Sequence, residues 1–365
     1  MPDSGSGIAG ASALQKYDYL LCARNLESKQ AFGSEVGAPR YLRVPRGETA
    51  APGHEIKRDL WLRKVVDLAD GVADDVISPT GEVLVFIHGY NNSPREIAER
   101  HRILQDDLLG AGWRGVLVSF DWPCEDRTLN YLEDRADAAA TAQFLVTHGI
   151  GAIVEGKAKY DCDTNIHLLG HSTGAYVIME GFSAAQKVGD FFKQSWRIGQ
   201  VAFIGGDVSS ASLDRSSDWN KPMFERVMRL TNYSNGFDDV LAVSNAKRLG
   251  TAPRAGRVGL SKDADPKAVN VSCSDYFRGL DPAQQAEKVG WWNHSWHIGN
   301  PVWTLDLAMT LEGRYDRGVL PTREQRPDGL CLQEGARPEH EASWRTLVSA
   351  YAKDNPGVLR GRNGG

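Results

Sequence analysis

From residue 83 onward, apolar runs and amphipathic stretches alternate along the chain. Residues 83–89 (VLVFIHG) form an unbroken apolar run ending in glycine, the pattern of a strand buried on both faces of a parallel sheet. Ser93-Pro94-Arg95-Glu96 follows. It is a capping box with proline at the first helical position, so a helix starts there. Ile97, Leu104 and Leu108 then recur at helical spacing. The alternation repeats. Strands are predicted at 115–123, 165–172, 200–208, 227–235 and 268–273, with helices over about 130–148 (closed by Gly149), 173–187, 238–249 and 301–311. Strands alternating with helices predict an α/β fold with a mostly parallel central sheet and helices on both faces.

The flanks differ. Residues 1–16 are rich in Gly, Ser and Ala and read as a disordered N-terminus. Residues 17–24 and 40–44 read as strands, and 59–69 as a short helix with Leu60, Val65 and Leu68 on one face. Residues 313–365 are rich in Gly, Pro and charge, with one helix expected near 341–351 and otherwise a tail. The predicted organisation is a single domain over 17–312, with its core at 83–312, followed by a C-terminal extension over 313–365.

Composition narrows the function. The 365 residues are 41% hydrophobic and 24% charged, as in ordinary globular chains. A net charge of −5 gives no footprint for nucleic acid. The mean hydropathy is −0.39, and no apolar run is long enough to cross a bilayer. The first residues lack the basic-then-apolar pattern of a signal peptide. Five cysteines without a CxxC pair argue against a structural zinc site and for reduced thiols. A cytoplasmic location is expected.

Gly170-His171-Ser172-Thr173-Gly174 is a G-x-S-x-G sequence. Alone the pattern is weak, but here it falls where an apolar strand ends and a helix begins, as a nucleophile elbow requires. The glycines let the backbone pass, and Ser172 is expected in a strained conformation with its hydroxyl exposed. The Thr173 N–H, at the helix start, is placed to donate to a developing oxyanion. A second donor is expected from His88-Gly89-Tyr90-Asn91-Asn92, where the Tyr90 N–H would face the site. His88 itself reads as a residue packed beneath the loop.

Serine needs a base. His294 and His297 lie between the last predicted strand and the final helix, where the base belongs. His294 is the choice and His297 the alternative. The acid should follow a strand: Asp238 first, Asp207 in Gly205-Gly206-Asp207 next, Asp239 last. Trp122, Tyr131, Trp291, Trp292 and Trp296 surround these loops; they either line an acyl pocket or pack as ordinary core.

VLVFIHGYNNS, FDWP, YLEDRADAA, IHLLGHSTG, NGFDDVLAVS, APRAG and NHSW, in this order, resemble a bacterial α/β-hydrolase family of unknown function that is itself similar to serine esterases and lipases. The resemblance covers about 80–312. It favours Ser172, Asp238 and His294. The chain departs from it at Tyr90, where Phe is common, and at Thr173, where Met is usual. The expected activity is hydrolysis of a small carboxylic ester through an acyl-enzyme, with no metal and no organic cofactor. The alternatives are an acyltransferase or peptidase on the same triad, or a catalytically silent ligand-binding or interaction protein on this scaffold.

Overall fold

The computed structural model describes residues 16–71, 81–90, 92–124, 131–160, 164–188, 190–246, 252–284 and 291–338. The apolar runs become the strands of one ten-stranded sheet, ordered β2-β1-β4-β3-β5-β6-β7-β8-β10-β9. The strands are β1 (Tyr17–Leu26), β2 (Phe32–Pro45), β3 (Glu82–Ile87), β4 (Val116–Asp121), β5 (Asn165–His171), β6 (Ile198–Ile204), β7 (Val227–Ser234), β8 (Ala268–Ser272), β9 (Arg323–Arg326) and β10 (Gly329–Leu332). The eight strands from β1 to β10 in this order pair in parallel. β2 and β9 cap the two edges antiparallel. The α/β-hydrolase architecture expected from the sequence is present.

Alternation along the strands explains the layers, since successive side chains point to opposite faces. Val83, Val85 and Ile87 join one buried cluster with residues of the helices Arg58–Gly71, Tyr131–Phe144 and Thr173–Ala185. Leu84 and Phe86 join the other, with Leu104 and Leu108 of the helix Pro94–Gly110 and Trp303, Leu307 and Leu311 of the helix Pro301–Glu312. Both faces of β3 are thus covered, which is why its sequence is apolar without interruption.

The chain runs from β3 outward to β4, then returns to the other side of β3 to form β5. Loops at the carboxyl ends of β3 and β5 therefore diverge around a crevice, the usual ligand position in such sheets.

Two expectations are corrected. The helix over 130–148 does not end at Gly149. It continues through a π-helical turn, Leu145–Ile150, into Gly151–Tyr160. The Gly149 and Gly151 backbones keep helical pairing, with the Gly151 N–H bonded to the Val146 carbonyl. The segment after 312 is also more than a tail, because β9 and β10 extend the sheet. Arg323 anchors them: its guanidinium forks onto the buried Asp306 carboxylate at 2.6 and 2.9 Å, and Tyr233 Oη and Thr322 Oγ1 donate to the same carboxylate. The helix expected near 341–351, and the N-terminal residues 1–15, lie outside the described residues. Within them, no helix is long and apolar enough to cross a membrane.

Candidate active site

Ser172 is the sole non-glycine residue with positive φ among the described residues, at φ 56° and ψ −123°. Side chains avoid this conformation unless the surroundings impose it. Here the surroundings do. The Ser172 N–H donates to the Ile204 carbonyl at 3.1 Å, and the Ser172 carbonyl accepts from Asp207 N–H at 2.9 Å. The turn is therefore laced to the end of β6 on both sides.

The flanking glycines are needed for close approach. A Cβ on Gly174 would lie 2.1 Å from the Ile87 carbonyl oxygen, and one on Gly170 2.9 Å from the Ala175 nitrogen. Thr173 is the first residue of its helix, so its N–H has no intrahelical acceptor by position.

His294 and Asp238 are brought together. His294 Nδ1 donates to Asp238 Oδ2 at 2.7 Å, and both residues are buried. This bond leaves Nε2 as the lone-pair nitrogen of a neutral ring. Asp238 is itself fixed, because its Oδ1 accepts from Leu241 N–H at 3.0 Å at the start of the helix Asp239–Ala246. Gly205 makes room for the pair: a Cβ there would lie 3.2 Å from His294 Cε1 and 3.4 Å from Asp238 Oδ2.

The alternatives stand elsewhere. Asp207 accepts from Ser244 Oγ at 2.7 Å and lies 3.7 Å from Arg254, so it ties the helix Asp239–Ala246 to the loop at 252–254. Asp239 bonds the Asn293 side chain at the surface. His297 is buried, its ring packed 4.8 Å from those of His171 and Trp303, and no described residue hydrogen-bonds its ring nitrogens.

His171, missed in the sequence, touches the same group. Its Nε2 donates to the His294 carbonyl at 3.2 Å, and its ring lies 4.8 Å from that of His294. Burial, then the neighbouring His294, His297 and Arg100, hold its pKa well below the ordinary histidine value. It is a neutral spacer between the Ser172 turn and the His294 loop.

The loop after β3 passes over Ser172. His88 is fully buried beneath it, with Nδ1 donating to the Gly89 carbonyl at 2.7 Å and its ring stacked on Trp122. Asn92 is buried too, and its side-chain amide donates to the Gly89 and Tyr90 carbonyls at 2.8 and 2.9 Å. Asn91 lies outside the described residues.

The aromatic residues divide. Trp122 and Trp296 are buried, the latter against Tyr276 and Phe277. Trp292 packs on Phe277, and Trp291 is exposed. The Tyr131 side chain lies outside the described residues.

With this geometry established, comparison with known proteins gives a family. Residues 67–273 match the family described as "Alpha/beta hydrolase of unknown function (DUF900)". The chain belongs to this family. The matched segment holds Ser172, Asp238 and the loop after β3, and stops before His294. No curated protein matches the sequence. Among solved structures, the chain is similar to a cutinase-like protein from Cryptococcus sp. The identity is 15% and the TM-score 0.32, covering 64% of this chain and 95% of that one. It is similar to a metagenomic carboxyl esterase at 14% identity and TM-score 0.34, over 65% and 76% of the two chains. It is also similar to a thioesterase of the prodiginine pathway in Streptomyces coelicolor at 16% identity and TM-score 0.27, over 65% and 89%.

Proposed function

We propose that this α/β hydrolase is a serine hydrolase acting on carboxylic esters. The observation that carries the reading is the buried His294–Asp238 hydrogen bond, with His294 packed on His171, the residue before the strained Ser172. Ser172 Oγ attacks the acyl carbon while His294 Nε2 takes the hydroxyl proton. Asp238 holds the ring in the required tautomer and stabilises the imidazolium. The Thr173 and Tyr90 N–H groups receive the oxyanion. The tetrahedral adduct collapses, His294 returns its proton to the departing alkoxide, and an acyl-Ser172 ester remains. Water, deprotonated by the same nitrogen, then releases the acid and frees Ser172.

The test is Ser172→Ala with p-nitrophenyl esters of graded acyl length, alongside labelling by a fluorophosphonate probe. Loss of both turnover and labelling is expected. Undiminished turnover and labelling in the folded variant would remove Ser172 from the chemistry.

A further inference from the structure

We propose that Arg24, on β1 and outside the matched family segment, is a positioning residue for the oxyanion loop; this rests on the serine-hydrolase reading above.

The argument begins with peptide geometry. In a trans peptide the carbonyl of one residue and the N–H of the next point in opposite directions. The Gly89 carbonyl and the Tyr90 N–H share one such plane. Two donors grip that carbonyl from the protein interior, His88 Nδ1 and Asn92 Nδ2. The Tyr90 N–H is therefore turned the other way. The aim of this donor depends on where Asn92 sits.

Arg24 holds Asn92. Its Nη2 donates to the Asn92 carbonyl at 3.0 Å, across 68 residues of sequence. Its Nε donates to Asp121 Oδ1 at 2.7 Å. Arg24 and Asp121 are both buried, so the guanidinium is held at one edge by a fixed counter-charge while another edge reaches the loop. Cys124 completes the clamp: the Asn92 N–H lies 3.3 Å from its Sγ, and Arg24 Nη2 lies 3.8 Å from the same sulfur. The FDWP stretch, which has no role legible in the sequence, is the floor of this arrangement. Asp121 orients Arg24, and Trp122 supports His88 by stacking and by donating its Nε1–H to the His88 carbonyl at 3.0 Å.

Only arginine meets the geometry. Lysine would keep the charge beside Asp121 but has no planar fork to span the carboxylate and a carbonyl together. A rigid donor stabilises an oxyanion more than one that must reorganise during the reaction. Arg24 thus acts through Asn92 and never touches substrate.

A cleft of about 550 Å³ opens on this residue, lined by Arg24, Phe32, Ser34, Ser93 and Cys124 among others. It gives small cations a route to the position a shortened side chain would vacate.

The experiment uses the full chain and compares Arg24→Lys, Arg24→Ala and Ser172→Ala. The measurements are steady-state hydrolysis of p-nitrophenyl butyrate, affinity for butylboronic acid (a mimic of the tetrahedral adduct) and thermal stability. The expected result for Arg24→Lys is a fall in kcat of about 10- to 100-fold with KM little changed, matched by the same loss in boronate affinity. Guanidinium ion restores part of the activity of Arg24→Ala and none of that of Arg24→Lys. If Arg24→Ala does not fold, Arg24→Lys and Asn92→Ala carry the test by the same two readouts. Folded variants with wild-type kcat and boronate affinity, lowered only in melting temperature, overturn the assignment of Arg24 while Ser172→Ala remains inactive. A fully active Ser172→Ala overturns the serine-hydrolase reading itself, and this proposal with it.

Discussion

A Cβ added to Gly89 would stand 2.7 Å from the Cβ of Ser172 and 3.3 Å from its Oγ. The loop after β3 thus rests directly on the Ser172 turn, with no space for a methyl group. Gly89→Ala should push the loop away and cut kcat by about 100-fold or more, the scale of losing an oxyanion donor. The fold should survive, because the clash falls between two loops at the crevice and not within the layered core. Circular dichroism and kinetics on the same sample check both halves of this statement.

Asp238→Asn keeps the volume at 238 and replaces the acceptor that holds His294 Nδ1–H. The amide can present an N–H to the ring instead and select the wrong tautomer. A kcat loss of about 10⁴-fold is expected, the scale seen when a triad acid is so changed. Asp207→Asn should leave kcat within a few-fold, because its carboxylate faces Ser244 and Arg254. Parallel kinetics of the two variants decide which acid serves the base.

Acid should destabilise the fold through two histidines far from the chemistry. Burial lowers the pKa of His167 to about 3 and that of His101 to about 4. Both titrate near 6.5 when unfolded. Between these values the unfolded chain binds more protons than the folded one, so stability falls as pH drops below about 6.5 and is undiminished above it. Across their windows His167 contributes on the order of 5 kcal/mol and His101 on the order of 3 kcal/mol. Melting temperature should therefore decline steeply from pH 6.5 to 4. A flat profile over that range would count against buried neutral histidines.

The C-terminal strands depend on one buried ion pair. Arg323→Met leaves Asp306 charged and without its counter-ion in the interior, costing about 3–5 kcal/mol. The double variant Asp306→Asn/Arg323→Met removes the stranded charge; the amide oxygen accepts from one of the Tyr233 and Thr322 hydroxyls, and the amide NH2 donates to the other. It should recover most of the loss. Urea melts of the two variants test the ordering.

Much of this architecture is legible in the sequence. The parallel strands announce themselves as apolar runs because both faces of each are covered. The elbow is legible because G-x-S-x-G falls at a strand–helix junction. Position after a strand does not by itself separate Asp238 from Asp207; the resemblance favours Asp238, and packing shows that this carboxylate meets His294. β9 and β10 escape a sequence reading for a physical reason: REQR and GLCL are only four-residue segments, and REQR, the edge strand, carries polar side chains. The helix past Gly149 escapes it because two glycines close together read as a stop, although the π turn carries the backbone through them. Arg24 gives no signal at all. A lone arginine at the end of an apolar strand looks like a solvated terminus, and its partners lie 68 and 97 residues away.

The sheet order has a consequence for synthesis of the chain. β1 leaves the ribosome early but can take its place in the parallel sheet only after β4 exists, whereas β10 finds β8 already made. Arg24 waits for Asp121 and Asn92, and Asp238 waits for His294. As a serine hydrolase, a nascent chain would stay inert until its last loops arrive. Catalysis would then report that β1 has docked beside β4 and that the His294 loop has reached Asp238, two events separated by most of the chain.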